Sequence, residues 1–219
     1  MTDAASSTNS WFGEVDRFRT IVLNEGMSKL NTRKSIEEMA DSLFYEKGFE
    51  ATSFADVAAA VGISRGNFYH HFKSKDDILD AVITRRMNKT KEMLDAWDVG
   101  ATPKGRIVSF IRILIANQTK IMAFGCPVGS LTTELAKLDH VAKDRAAEIF
   151  SLFRDWLAHQ FKALGHGKDA ADLALHVLSR SQGTAVLASA YGDGEFLKSE
   201  VVALENWLET LPNKQLVRG

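Results

Sequence analysis

An all-α fold is what this sequence predicts, and three observations carry the prediction. Ala, Leu, Lys and Glu are plentiful while only 3 of 219 residues are proline, a balance that favours helices. Val and Ile recur at helical spacing and not in strand-like alternation. Ser/Asp pairs three residues apart stand before apolar runs, as helix caps do. The hydrophobic share of 45% and charged share of 25% are ordinary for a chain with a good core. A net charge of −1 means that any nucleic-acid binding must rest on a local patch. The single cysteine, Cys126, cannot form an internal disulfide, which fits a reducing cytoplasm. No apolar run approaches a membrane span, and MTDAASSTNS is no basic-plus-apolar signal. A cytoplasmic protein with no membrane partner is therefore expected.

About nine helices follow in order. Residues 1–31 read as an N-terminal extension, partly flexible, in which 11–26 has the makings of a short helix around Phe18, Ile21 and Val22. Met27 then opens MSKLNTRKS, which itself reads like a protein start. Ile36, Ala40, Leu43 and Phe44 mark the first helix, closed by Lys47-Gly48. Ser53 with Asp56 opens a second through Val57 and Val61, ended by Gly62. Ser64 caps a third of about two turns, and Ser74 with Asp77 starts a fourth, which carries Ile78, Leu79, Val82 and Ile83 toward Trp97. After the break Gly100-Ala-Thr-Pro103, a fifth helix carries Ile107, Phe110, Leu114 and Ile121 up to Gly125. A short helix contains SLTTELAK, and a long one holds Ile149, Phe153, Trp156 and Leu164. The turns Gly165-His-Gly167 and Gly192-Asp-Gly194 set off two more, the last ending at Pro212; 213–219 is a tail.

Three short helices with Gly62-Ile63-Ser64 between the second and third have the size and punctuation of a helix-turn-helix. Phe68 and Phe72 face inward with Val57 and Val61. Arg65, Gly66, Asn67, Tyr69, His70 and Lys73 are left on the other side or its flanks. Gly66 allows close approach to a flat partner. Such a face suits a major groove, where Arg pairs with guanine and Asn with adenine. Tyr69, Lys73 and Lys75 are in reach of phosphates. Charge supports this modestly, with eleven Lys/Arg against nine Asp/Glu from Ser28 to Lys91. His70-His71 is not a metal site, because helix neighbours point about 100° apart and no ligand spacing surrounds them. GHGK lacks the spacing of a phosphate loop, and HExxH and GxSxG are absent. No cofactor or metal is expected, and an enzyme is the minor alternative.

The segment TRKSIEEMADSLFYEKGFEATSFADVAAAVGISRGNFYHHFKSKDDILDAV resembles the DNA-binding domain of the TetR family of transcriptional repressors, closely over residues 32–83. The resemblance implies a helix-turn-helix domain over 32–78 and a ligand-binding and dimerisation domain over 79–212. It implies phosphate contacts at Thr52 and Ser53 and base-edge contacts at Arg65, Gly66 and Asn67. Tyr69 and His70 match positions that touch backbone or thymine methyl groups, and Lys75 matches a phosphate anchor. Ala55 stands where some members carry a basic residue. The implied partners are double-stranded operator DNA, a second copy of the chain and a small-molecule inducer.

A single small reading head makes too few base contacts to be selective, whereas a two-fold pair spaces two of them about 34–36 Å apart, or a multiple. The last helix offers the stripe Leu197, Val201, Leu204, Leu208 and Leu211. The helix before it offers Ser179, Ser181, Gly183, Thr184, Ala185, Ala188 and Ser189, small enough for close approach. A homodimer interface is expected through Thr184, Ala188, Leu197, Val201, Leu204 and Leu208; the other possibility is that the stripe packs within its own subunit. Met93, Phe110, Met122, Phe124, Phe153 and Trp156 are candidate ligand contacts. Cys126 joins them, since it lies just before a short helix whose dipole would stabilise a thiolate. Its GC-x-V-G-x-L-x-x-E pattern is similar to one found in family members that respond to electrophiles and in others with no thiol chemistry. A thiol-based sensor is thus the alternative to reversible ligand binding.

Overall fold

The computed structural model describes residues 29–212, and all regular secondary structure among them is helical. In order, the helices are α1 (Lys29–Lys47), α2 (Phe54–Val61), α3 (Arg65–His71), α4 (Lys75–Asp98) and α5 (Pro103–Ala116). Then come α6 (Gln118–Phe124), α7 (Pro127–Lys137), α8 (Lys143–Ala163), α9 (Ala170–Tyr191) and α10 (Gly194–Thr210). The nine expected helices are present, the fifth broken in two. At Asn117 the backbone leaves helical geometry (φ −112°, ψ 14°), and its side-chain amide takes the Ile113 carbonyl at 2.9 Å. The short helix expected over 11–26 and the tail 213–219 lie outside the described residues.

The chain forms two compact units. One runs to Asn88 and also takes in Ser130–Ala146; the other holds Lys89–Gly129 and the residues from Ala147 on. The expected boundary at 78/79 therefore differs from the observed division, whose three crossings fall inside α4, α7 and α8. The reason is the core of the first unit. It extends along α4 through Val82 and Ile83 and recruits Leu131, Leu135 and Ala146, far away in sequence.

Around that core, α1 turns Ile36, Ala40, Leu43 and Phe44 inward, meeting Val57 and Val61 of α2 and Phe68 and Phe72 at α3. Polar groups tie α1 to α4. Arg86, only 1% exposed, sets Nε 2.6 Å from Asp41 Oδ1, and Arg85 Nη2 lies 2.9 Å from Glu38. A guanidinium this deep is tolerated only opposite a carboxylate.

In the second unit, α10 packs on α5 and α9. Leu197, Val201, Leu204 and Leu208 are buried in that packing, none more than 2% exposed. Thr184 and Ala188 are buried too. These six residues, expected at a dimer interface, are buried within their own subunit. The exposed apolar residues of the same helices are Leu175, Val186, Leu187 and Tyr191 of α9 and Val202 of α10.

The helix starts follow the local code. Thr102 Oγ1 accepts Gly105 N–H at 3.1 Å ahead of Pro103. At α4, Asp77 Oδ2 accepts the amides of Lys73 and Ser74, both at 3.0 Å, while Ser74 Oγ accepts Asp77 N–H. Those bonds, led by the Lys73 amide, hold the Asp77 carboxyl below its ordinary pKa. A depressed carboxyl stabilises the fold above its unfolded pKa and ceases to do so as pH falls through the folded value. Asp77→Asn keeps an acceptor without the charge. It should be less stable than wild type at neutral pH, and the gap should close as pH falls through the folded pKa of Asp77. Urea melts across the acid range followed by circular dichroism check this.

Candidate nucleic-acid interface

The helix-turn-helix is assembled from local chemistry. Ser53 caps α2: its Oγ accepts Asp56 N–H at 3.2 Å and the Asp56 carboxylate accepts Ser53 N–H at 2.8 Å. The Ser53 hydroxyl also donates to the Asp56 carboxylate at 2.6 Å, and this bond first, then that of the Ser53 amide, lowers the Asp56 pKa. Gly62 ends α2 in the left-handed region (φ 77°), where a side chain is strained. Its N–H and that of Ile63 both reach Ala58 O, at 3.0 and 3.1 Å. Two residues on, Ser64 accepts Asn67 N–H at 3.2 Å and starts α3.

Only seven residues long, α3 is held from its inner side. Phe68 and Phe72 are each 1% exposed. Phe54, at the start of α2, meets Phe68 edge-on at 5.2 Å and lies against Tyr69 at 5.5 Å. At the other end Arg33 of α1 donates to the His71 carbonyl at 2.9 Å and stacks 4.2 Å over the Phe72 ring. The guanidinium thus meets the negative end of α3. Nothing local marks Arg33 for this task; it is 38 residues away from its acceptor in the chain.

Held this way, α3 presents Arg65, Gly66, Asn67, Tyr69 and His70 to solvent, with Lys73 just beyond. Tyr69 is 47% exposed although its ring is backed by Phe54. Lys73 Nζ folds back on the Tyr69 carbonyl. A Cβ on Gly66 would meet only Ser64 Oγ, at 3.9 Å, so that surface is open. Between α2 and α3 lies a recess of about 270 Å³ lined by Ser53, Phe54, Ala55, Ala58, Arg65, Phe68 and Tyr69. A recess with one cation and one phenol at its rim is suited to a base edge.

Two of the expected contacts, Thr52 and Lys75, are hydrogen-bonded within the domain. Thr52 is 1% exposed, and its hydroxyl donates inward to Gly48 O at 2.7 Å. Unlike exposed Ser53, its side chain is not on the outer face. Lys75 lies with Nζ 4.3 Å over the Phe49 ring and donates to Glu50 O at 3.0 Å. Cation–π attraction and the Glu50 carbonyl hold it at the α1–α2 bend.

The candidate ligand residues all belong to the second unit. Phe110 and Phe153 are buried and meet edge-to-face at 5.4 Å. Trp156 lies 5.7 Å from Trp97 and donates to Asp98 at 3.2 Å. Met93 and Met122 are half-buried, and the Met122 carbonyl accepts Ser189 Oγ at 3.3 Å. Phe124, 38% exposed, lies at the surface and not in the interior expected of a pocket wall. Half-buried Cys126 accepts Gly129 N–H at 3.5 Å and so caps α7.

Residues 36–82 match the family model of the bacterial regulatory proteins, tetR family. Residues 103–200 match that of the C-terminal domain of LmrA/YxaF-like transcriptional regulators. An uncharacterized HTH-type transcriptional regulator in the lacX 3' region of Lactococcus lactis subsp. lactis is 26% identical over 84% of this chain and 96% of its own. The HTH-type transcriptional repressor DhaR of Mycobacterium sp. (strain GP1) is 22% identical over 67% of this chain and 72% of its own. A TetR transcriptional regulator from Legionella pneumophila has a similar crystal structure, with TM-score 0.72 and 26% identity over 84% of this chain and 98% of that one. The fold is also that of a TetR-family regulator from Cytophaga hutchinsonii, with TM-score 0.74 and 21% identity over 87% and 100% of the two chains. Matched on both sides of the crossing in α4, and carrying a helix-turn-helix whose second helix faces outward, this chain belongs to the TetR family of transcriptional regulators.

Proposed function

We propose that this protein is a ligand-responsive transcriptional repressor of the cytoplasm, which binds a palindromic operator as a homodimer and is released by a small-molecule inducer. The observation that carries the reading is α3, apolar and buried on one side, with Arg65, Asn67, Tyr69 and His70 exposed on the other. Arg65 and Asn67 in the first turn suit base edges, while Ser53, Tyr69 and Lys73 suit phosphates. Among the described residues no single helix is long and apolar enough to cross a membrane.

Pairing is best served by the face of α9 opposite its buried side, where Leu175, Ser179, Gly183, Val186 and Ala190 are all exposed. Small residues there let two copies of α9 approach closely, and Val202 extends the apolar area. An inducer among Phe110, Phe153, Trp156, Met93 and Met122 would act by preferring an arrangement of α4 that misplaces the reading helices. It shifts the population only as far as that preference reaches.

A second reading keeps the repressor and changes the trigger. The sulfur of Cys126 accepts a first-turn amide of α7, a position where the helix field favours the thiolate. An electrophile capturing that thiolate would remove the cap.

Arg65→Ala should weaken operator binding by about 1–3 kcal/mol and relax preference at one base position; titration against single-base operator variants measures both. Unchanged affinity and preference would refute the reading face. Val186→Glu should give a folded monomer that no longer shifts the operator, seen by sedimentation velocity. A dimer in that variant would remove α9 from the interface. Cys126→Ser should retain release by an uncharged inducer but lose release by electrophiles if the thiol is the trigger, and release of both kinds would exclude it.

A further inference from the structure

The carboxylate of Glu134, on α7, reaches into the bend between α1 and α2. Its Oε2 accepts Phe49 N–H at 2.8 Å and its Oε1 accepts Glu50 N–H at 2.9 Å. Two successive amides converge on one anion only where the chain forms a concave nest. Gly48, at φ 92°, makes that concavity, and a Cβ there would stand 3.0 Å from Oε1. Glu134 is also the last residue of the GC-x-V-G-x-L-x-x-E pattern.

The bend that Glu134 holds is otherwise tied to its own unit. Thr52 donates to Gly48 O, Lys75 donates to Glu50 O, and the Phe49 ring meets Phe44 and His140 edge-on at 5.2 and 5.3 Å. The bend ends at Ser53, the cap of α2, and the next residue is Phe54, whose ring supports Phe68 and Tyr69 of α3. An unbroken series of contacts therefore runs from Glu134 through the bend and Phe54 to the exposed tyrosine.

We infer that Glu134 is a positioning residue for operator recognition: it fixes the α1–α2 bend and thereby the pose in which α3 presents Arg65 and Tyr69. The inference rests on the proposed DNA-binding role of α3. It assigns α7, whose first three residues belong to the other compact unit, a direct grip on the helix-turn-helix.

Charge provides a test that mere loss of an acid cannot mimic. Removing a negative charge from a DNA-binding unit raises its affinity for any polyanion. Loss of positioning lowers affinity for the operator alone. Glu134→Gln keeps the size and one acceptor oxygen but turns an NH₂ group toward the second amide, donor against donor. The measurements are operator and random-duplex affinities at fixed salt, together with amide hydrogen exchange at Phe49 and Glu50. The variant should bind the operator about 5-fold or more weakly, hold random duplex as well as wild type or better, and exchange faster at both amides.

Gly48→Ala, which disturbs the same nest from the opposite side, should act in the same direction. The double variant should lose less than the product of the two single effects. Operator affinity equal to or above wild type in Glu134→Gln would overturn the inference, and so would equal losses on both duplexes or fully additive effects with Gly48→Ala. A wild-type chain that selects no duplex over random sequence would refute the regulator reading itself, and this role with it. Normal selection by wild type beside an unaffected Glu134→Gln refutes the role of Glu134 alone.

Discussion

Everything in the first unit answers to one constraint: a seven-residue helix has no stability of its own in water. Nucleating so short a helix costs more than its few hydrogen bonds return, so α3 exists only because its inner side is fastened. Burying Phe68 and Phe72 supplies on the order of 2–3 kcal/mol each. Ser64 satisfies a free amide at one end and Arg33 a free carbonyl at the other. The outward residues then have fixed places, which a surface that reads bases requires.

The parts of this arrangement visible in the sequence are those whose partners lie within four residues. The Ser53/Asp56 and Ser74/Asp77 boxes, the Ser64 cap, the Gly62 turn and the inward pair Phe68 and Phe72 are all of that kind. Contacts across long separations were not legible. Arg33 meets His71 across 38 residues, Glu134 meets Phe49 across 85, and Arg86 meets Asp41 across 45. The same limit explains Thr52 and Lys75. Both have side chains suited to phosphate; Thr52 turns inward to Gly48 O, and Lys75 lies at the surface over the Phe49 ring and Glu50 O, partners that no local pattern reveals.

The last two helices show a second limit. Periodicity identifies an apolar stripe but not what covers it. Leu197, Val201, Leu204 and Leu208 keep the spacing of an interface, and α5 and α9 already fill that place. On α9 the buried and exposed faces both carry small and apolar residues, so only the packing tells them apart. Ser181, Thr184, Ala185 and Ala188 face the core, while Ser179, Gly183 and Val186 do not. A helix whose two faces are this alike is legible as a helix and ambiguous as a surface.

Electrostatics reconcile a net charge of −1 with a nucleic-acid partner. Seven acids of the first unit are engaged in ion pairs or caps. Glu37 pairs with Arg33, Glu38 and Asp41 face Arg85 and Arg86, and Asp80 meets Arg145. Asp56 and Asp77 serve as caps, and Asp76 faces His140. No carboxylate lies on α3, whose sequence is RGNFYHH. The near-even tally of acids and bases is therefore an average over two kinds of surface. In the proposed complex, phosphates meet the polar, cationic one because α3 is turned toward the duplex. With so little excess positive charge, release of counterions supplies little non-specific affinity. Discrimination is a ratio of specific to non-specific binding, so keeping the denominator small lets a modest number of base contacts suffice, provided that the pose of α3 is rigidly set.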